Sequence, residues 1–227
     1  MSDVVVASID NIWSRHFFNK LSHLLGPEKI KWVKDDGELS FALHQKPEWV
    51  FFFHWSSKVS ASVFENNKCV VLHTSNLPEG RGGSPIQNQV RKGVVSSRIN
   101  LIQMVESFDS GDIYLSKDVT LQGNALDIWM MIADQGAELV KKCVREEPVP
   151  VPQSTPEGSS FKRIKNNDIL FDLDEIVDVY KEIQMVDAPG YPDAFVKIGK
   201  YTIQFSRPKM TSSNELLCDA RISCEEK

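Results

Sequence analysis

His73 stands at the end of the valine-rich run Val70-Val71-Leu72. It is followed at once by Thr74-Ser75-Asn76-Leu77-Pro78-Glu79-Gly80-Arg81-Gly82-Gly83-Ser84-Pro85. A buried strand that stops at a histidine and opens into small polar residues, glycines and prolines delivers that histidine into a crevice. An imidazole both donates and accepts protons near neutral pH, so His73 is suited to general acid–base work. A second candidate, Asp109, lies 36 residues further on in Asp109-Ser110-Gly111-Asp112, after the run that ends at Met104. Taken singly, a histidine past a strand is usually structural and Asp-Ser-Gly-Asp is usually only a turn. Between the two, Gly80, Gly82 and Gly83 let backbone approach a ligand closely. Arg81 either orders that loop, meets a phosphate, or pairs with a carboxylate.

The elements that must hold these residues follow from patterning. Ser84 is a natural cap and Pro85 suits the first helical turn, so strand, loop and helix form one unit. In an open α/β sheet such a unit puts its loop at the carboxyl edge of the strands, where ligands bind. Apolar runs predict strands at Val4–Ile9, Ile30–Val33, Trp49–His54, Val94–Met104 and Ile113–Val119. Amphipathic segments predict helices from Asp10 or Asn11 to Leu25, from Asp36-Gly37 to Pro47, and from Asn124 to Val144. Alternation of strands and helices predicts right-handed parallel crossovers and a sheet covered on both faces. The fold class expected is therefore α/β, a Rossmann-like mostly parallel sheet with a small C-terminal α+β extension. Pro148, Pro150, Pro152 and Pro156 mark an exposed connector, which sets the expected domains at 1–146, a linker at 147–160, and 161–227. The last region should carry a helix over Asp172–Ile183 and strands at Phe195–Ile198, Tyr201–Phe205 and Leu216–Ile222, with a hairpin at Gly199-Lys200.

Composition narrows the classes. The 227 residues carry 26 Lys and Arg against 31 Asp and Glu, a formal net charge of −5. With the basic residues scattered, a surface that tracks a polyanion is not expected, and this weighs against tRNA or any other nucleic acid as partner. Cys69, Cys143, Cys218 and Cys224 form no CxxC pair or His/Cys cluster, so no metal is expected and a reducing cytoplasm is the simplest setting. No apolar run approaches the roughly 20 residues that cross a bilayer, so no membrane association is expected. The first βα turn lacks GxGxxG, so a dinucleotide site of that kind is not supported.

The loop resembles the signature of the folate-dependent formyltransferases, Asn-x-His-x-Ser-x-Leu-Pro-x-x-Arg-Gly-x-x-Pro. His73, Ser75, Leu77, Pro78, Arg81, Gly82 and Pro85 fall in place. The run Met104 to Asp112 resembles the family's second element, at a suitable separation, and the resemblance extends over about Val4 to Val144. Within the family the loop is most similar to the branch that formylates nucleotide-linked amino sugars, as in pseudaminic acid type pathways. The resemblance implies a formyltransferase fold and transfer of a formyl group from N10-formyltetrahydrofolate to the amine of such a sugar nucleotide. It implies His73 and Asp109 as catalytic residues, and folate contacts at Phe53, His54, Trp55, Met104, Val105 and Glu106. It implies acceptor contacts at Arg81, Gln87, Tyr191 and Phe195, the last two from a Tyr-Pro-x-Ala-Phe motif that otherwise reads as an aromatic turn on a core. It allows a homodimer.

Acyl transfer to an amine needs a donor for the oxyanion, a proton acceptor and a group that orients it. His73 suits the first two tasks and Asp109 the third. One position departs from the signature: Val71 stands where the family has asparagine, and loss of one oxyanion donor typically costs about 3 kcal/mol. Asn76, Asn88, His54 or a backbone N–H are the candidate replacements, with Asn76 ranked beside His73 and Asp109. Val71 also motivates a second reading, a binding protein that keeps the folate or sugar pocket without turnover. A formyltetrahydrofolate hydrolase is a third. Methionyl-tRNA formyltransferases share the loop, but the chain is expected to be too short for their further C-terminal domain.

Overall fold

The computed structural model describes residues 3–155, 157–165 and 174–224. The chain runs β1 (Val4–Ala7), α1 (Ile12–Leu25), β2 (Ile30–Val33), α2 (Asp36–Leu43), β3 (Trp49–Phe52), α3 (Ala61–Phe64), β4 (Cys69–Thr74) and β5 (Arg81–Gly82). It continues with α4 (Pro85–Arg91), β6 (Ser96–Gln103), β7 (Ile113–Thr120), α5 (Ala125–Glu146) and β8 (Ser160–Phe161). It ends with α6 (Ile176–Gln184), β9 (Ala194–Ile198), β10 (Tyr201–Ser212) and β11 (Glu215–Cys224). The start of the helix expected over Asp172–Ile183 lies outside the described residues.

The described residues form two compact units that interleave along the sequence. The first comprises 1–82, 97–119 and 129–160, and the second 83–96, 120–128 and 161–227. The boundaries drawn from the sequence place one cut at the proline-rich segment, whereas residues 147–160 belong to the first unit.

The main sheet has the strand order β2-β1-β3-β4-β6-β7. Strands β1 to β4 are parallel neighbours, as the alternation of elements implies. β6 departs from that expectation and runs antiparallel to β4, with His73 opposite Asn100 and Val70 opposite Gln103. An apolar run carries no direction, and the chain between β4 and β6 returns at the edge it left, so β6 has to run backward.

Both faces of the sheet are covered. On one, Val5, Ala7, Val50, Phe52 and Cys69 pack with Val33, Leu39 and Ala42, and Leu43, Trp55, Val59, Val63, Phe64, Val71 and Met104 border this cluster. On the other, Phe17 of α1 stacks on Phe53 with centroids 4.6 Å apart. Trp13 stacks on Trp129 at 5.5 Å. A Cβ on Gly136 of α5 would press on Leu72 Cδ1 at 2.6 Å and reach Phe17, so this glycine lets α5 seat directly against β4 and α1. Each fully buried large apolar side chain contributes about 1.5–3 kcal/mol. Asn11 caps α1 by accepting from Ser14 N at 2.8 Å, which fixes where the first crossover begins.

In the second unit β9, β10 and β11 form an antiparallel sheet in the order β11-β10-β9, with Tyr201 opposite Ile198 across the expected hairpin. No helix among the described residues is long and apolar enough to cross a membrane.

Burial pushes the Cys69 and Cys143 thiols up to about 12. At pH 8 only about 1 in 10,000 of either is then the reactive thiolate. A short iodoacetamide pulse on the native protein is expected to label Cys224 and Cys218 while sparing Cys69 and Cys143, read by peptide mass spectrometry. Early labelling of either buried thiol would contradict this packing.

Candidate active site

The carboxyl edge of the parallel strands gathers the first group of predicted residues. His73 is the next-to-last residue of β4 and only 5% exposed. Its Nδ1 lies 3.3 Å from Asp109 Oδ2, and its Nε2 lies 3.0 Å from the carbonyl oxygen of Gly80. A carbonyl only accepts, so Nε2 carries a hydrogen in this arrangement. Asp109 Oδ2 also accepts from Gly82 N at 2.8 Å, so one carboxylate oxygen joins the imidazole to the glycine loop. Asp109 holds φ at 53°, a left-handed conformation that aspartate tolerates better than most residues.

Opposite His73 on the neighbouring strand lies a residue the sequence analysis missed. Asn100, 1% exposed, donates to the carbonyl of Ser75 at 2.7 Å and accepts from Ser116 Oγ at 2.7 Å. It pins the chain just past His73 to the neighbouring strand. The signal was present, since an asparagine within Ile99-Asn100-Leu101-Ile102 is a buried polar group that must be satisfied.

A second missed group comes from the segment expected to be an exposed connector. Ser159 accepts from Gly80 N at its carbonyl (3.1 Å) and at its Oγ (3.0 Å), and its carbonyl accepts from Arg81 N at 3.1 Å. Its own N–H donates to Glu79 Oε2 at 3.1 Å. Val151 pairs with Ile113, and Gln153 reaches both Arg81 and the Asp109 turn. Proline and serine content carried no trace of these partners.

The other predicted residues fall as follows. Arg81 donates to Gln153 Oε1 from Nε at 3.1 Å and Nη2 at 2.6 Å, a loop-ordering contact. Asn76 is exposed, and its carbonyl accepts from Glu79 N at 3.0 Å. Asn88 belongs to the second unit, where its amide donates to the carbonyls of Gly83, Ser84 and Lys162. Val71 borders the apolar cluster and, two residues from His73 on β4, shares its face. Phe53 is buried, 1% exposed, in the opposite core. His54, with φ 52°, accepts at Nδ1 from Asn11 Nδ2 at 3.0 Å and Trp13 Nε1 at 3.4 Å, and it meets Trp129 edge-on. Trp55 and Met104 border the same cluster as Val71; Val105 and Glu106 are exposed. Gln87, Tyr191 and Phe195 belong to the second unit, where Gln87 is 3% exposed and Phe195 lies opposite Gln204 on β10.

Over the whole chain the architecture is similar to a solved structure, the methionyl-tRNA formyltransferase from Clostridium thermocellum. The two are 31% identical with a TM-score of 0.91, over 99% of this chain and 100% of that one. The chain belongs to the formyltransferase family. Curated members agree: it is 29% identical over 158 residues to the methionyl-tRNA formyltransferase of Syntrophomonas wolfei, covering 66% of this chain and 48% of that protein. It is 27% identical over 187 residues to that of Bacillus mycoides, covering 78% and 58%. The chain thus spans about half the length of the curated formyltransferases it matches. The family model for the methionyl-tRNA formyltransferase C-terminal domain matches residues 164–223. A 4-N formyltransferase from Francisella tularensis shares the fold at 17% identity, with a TM-score of 0.64 over 85% of this chain and 91% of that one.

These matches correct three expectations. The sugar-nucleotide acceptor is set aside, because the relatives at 27–31% identity are named for methionyl-tRNA. The exclusion of nucleic acid falls with it. A net charge of −5 sums over the whole chain and says nothing about how charge is distributed over any one surface. The length objection fails as well, since a formyltransferase is matched over 100% of its chain and a C-terminal domain model aligns here.

Proposed function

We propose that this chain transfers a formyl group from N10-formyltetrahydrofolate to the amine of methionyl-tRNA. The observation that carries the reading is the likeness, over both whole chains, to the Clostridium thermocellum formyltransferase. The site's chemistry supports the folate half of this reading. Trp55, Val71 and Met104 border one apolar cluster, and the buried Nε1 of Trp55 has no hydrogen-bond partner. An apolar wall of this kind fits the flat face of a heterocycle such as a pterin. A complex of tetrahydrofolic acid with the related fold of HypX from Aquifex aeolicus is known, at 16% identity and a TM-score of 0.73.

The folate would supply an activated formyl carbon with N10 as leaving group, and N10 would take up the proton that the attacking amine gives up. His73, with its hydrogen on Nε2, is the donor for negative charge developing on the formyl oxygen once the Gly80 carbonyl moves off that nitrogen. Val71 offers no amide, so this role rests on His73 where the family signature provides two side chains. Asp109 orients the ring through Nδ1 and balances positive charge on it. Such preorganised donors act most strongly where water is excluded, and His73 is almost fully buried.

The test is direct. The protein is incubated with N10-formyltetrahydrofolate and methionyl-tRNA, the aminoacyl ester is hydrolysed, and formylmethionine is sought by mass spectrometry. Formylmethionine formed in proportion to enzyme is the expected result. Its absence under conditions where calorimetry shows the folate bound would overturn the acceptor assignment.

A further inference from the structure

The His73–Asp109 pair depends on two short segments, the Gly80–Gly82 stretch that includes β5 and the turn that carries Asp109. Asp109 sits in a left-handed conformation, which persists only where the surroundings hold it. Gly80 and Gly82 flank Arg81, and they give His73 its carbonyl contact and Asp109 its N–H contact. Whatever fixes Arg81 and the Asp109 turn relative to each other fixes the imidazole.

One side chain does both. Gln153 Nε2 donates to the carbonyl of Asp109 at 2.8 Å and to that of Gly111 at 3.0 Å. Gln153 Oε1 accepts from Arg81 Nε at 3.1 Å and Nη2 at 2.6 Å. The amide is fully used, with both hydrogens given and its oxygen doubly engaged. Its polarity is also specified, because two carbonyls on one side and a guanidinium on the other admit the amide in a single orientation. A carboxylate would serve Arg81 but would face the two carbonyls with an oxygen.

We propose that Gln153 is a positioning residue for formyl transfer. It clamps the Arg81 loop to the Asp109 turn so that Gly82 N holds Asp109 Oδ2 against Nδ1 of His73. The clamp spans 72 residues to Arg81 and 44 to Asp109, and it acts on the reacting groups only through other residues. The inference rests on the formyltransferase reading for its kinetic consequence and on geometry alone for its effect on His73.

Gln153→Glu is the discriminating variant, since it keeps the Arg81 arm and abolishes donation to Asp109 and Gly111. Gln45→Glu, at an exposed site, carries the same charge change and serves as control. The full-length proteins are compared by formylmethionine formation under saturating donor and by two-bond 1H–15N correlation spectra of the histidine rings. Gln153→Glu is expected to lower kcat by about 10- to 100-fold, the scale set by misplacing a catalytic group by an ångström or less. KM for the folate should change less than kcat, and both nitrogen shifts of His73 should move while His16, His23 and His44 keep theirs. Gln45→Glu should match wild type. If Gln153→Glu leaves either the His73 shifts or kcat where Gln45→Glu leaves them, the assignment is overturned. Should wild type form no formylmethionine, the functional reading fails, and the His73 spectrum alone then decides whether Gln153 positions the pair.

Discussion

His73→Asn is expected to lower formyl transfer by about 100- to 1,000-fold, the usual range for losing a positioned oxyanion donor, with the far-UV circular dichroism of wild type. The asparagine amide can place a nitrogen close to where Nδ1 stands, facing Asp109, and leaves nothing at Nε2. His73→Gln extends one methylene further and can set an amide hydrogen near the Nε2 position. It is therefore expected to retain about tenfold more activity than His73→Asn. The ordering Gln above Asn, measured as kcat in the formylmethionine assay, identifies Nε2 as the working end of the ring. Equal loss in both would mean that Nδ1 and its contact with Asp109 carry the chemistry, and unchanged turnover in His73→Asn would remove His73 from the site.

Gly111→Ala is expected to have the largest effect on stability. A methyl group there would overlap the carbonyl oxygen of Gln103, the last residue of β6. The colliding partner is backbone, so no side-chain rotation relieves it. Overpacking of this kind costs about 3 kcal/mol or more, which for a chain of this size lowers the thermal midpoint by roughly 6–12 °C. The turn is anchored on its other side by Gln103 N donating to Asp112 O at 2.8 Å, so the strain has to pass into residues 107–111 and displace Asp109. Activity should fall with stability and stay low at temperatures where the variant is fully folded. A midpoint within 2 °C of wild type, by differential scanning calorimetry, would show that the turn is not packed as described.

The parts of the site that were legible in the sequence share one property. His73, Arg81 and the loop glycines lie within a few residues of one another, and Asp109 lies in its own turn, so local spacing carried them. Asn100 was legible in principle as a polar residue inside an apolar strand. Gln153 and Ser159 were not legible, because their partners lie 42 to 80 residues away and their neighbours are prolines and serines that signal only an exposed segment. The reversal of β6 escaped for a similar reason, since strand direction is decided by where the connecting chain re-enters the sheet. The acceptor failed on different grounds. The loop form suggested a sugar branch, and net charge suggested no nucleic acid, yet neither quantity describes the surface on which an acceptor would rest.

The contacts made by Val151, Gln153 and Ser159 also fix an order of events at the ribosome. His73 and its strand are synthesised early and can pair with β3 while the rest of the chain is still being made. The loop beyond them receives the partners of Gly80 and Arg81 only when Ser159 arrives, 79 residues after Gly80. Throughout that interval a nascent chain holds the histidine and, later, the aspartate without the clamp that brings them into register. The reactive geometry is therefore switched on late in translation, by a segment whose composition resembles a tether.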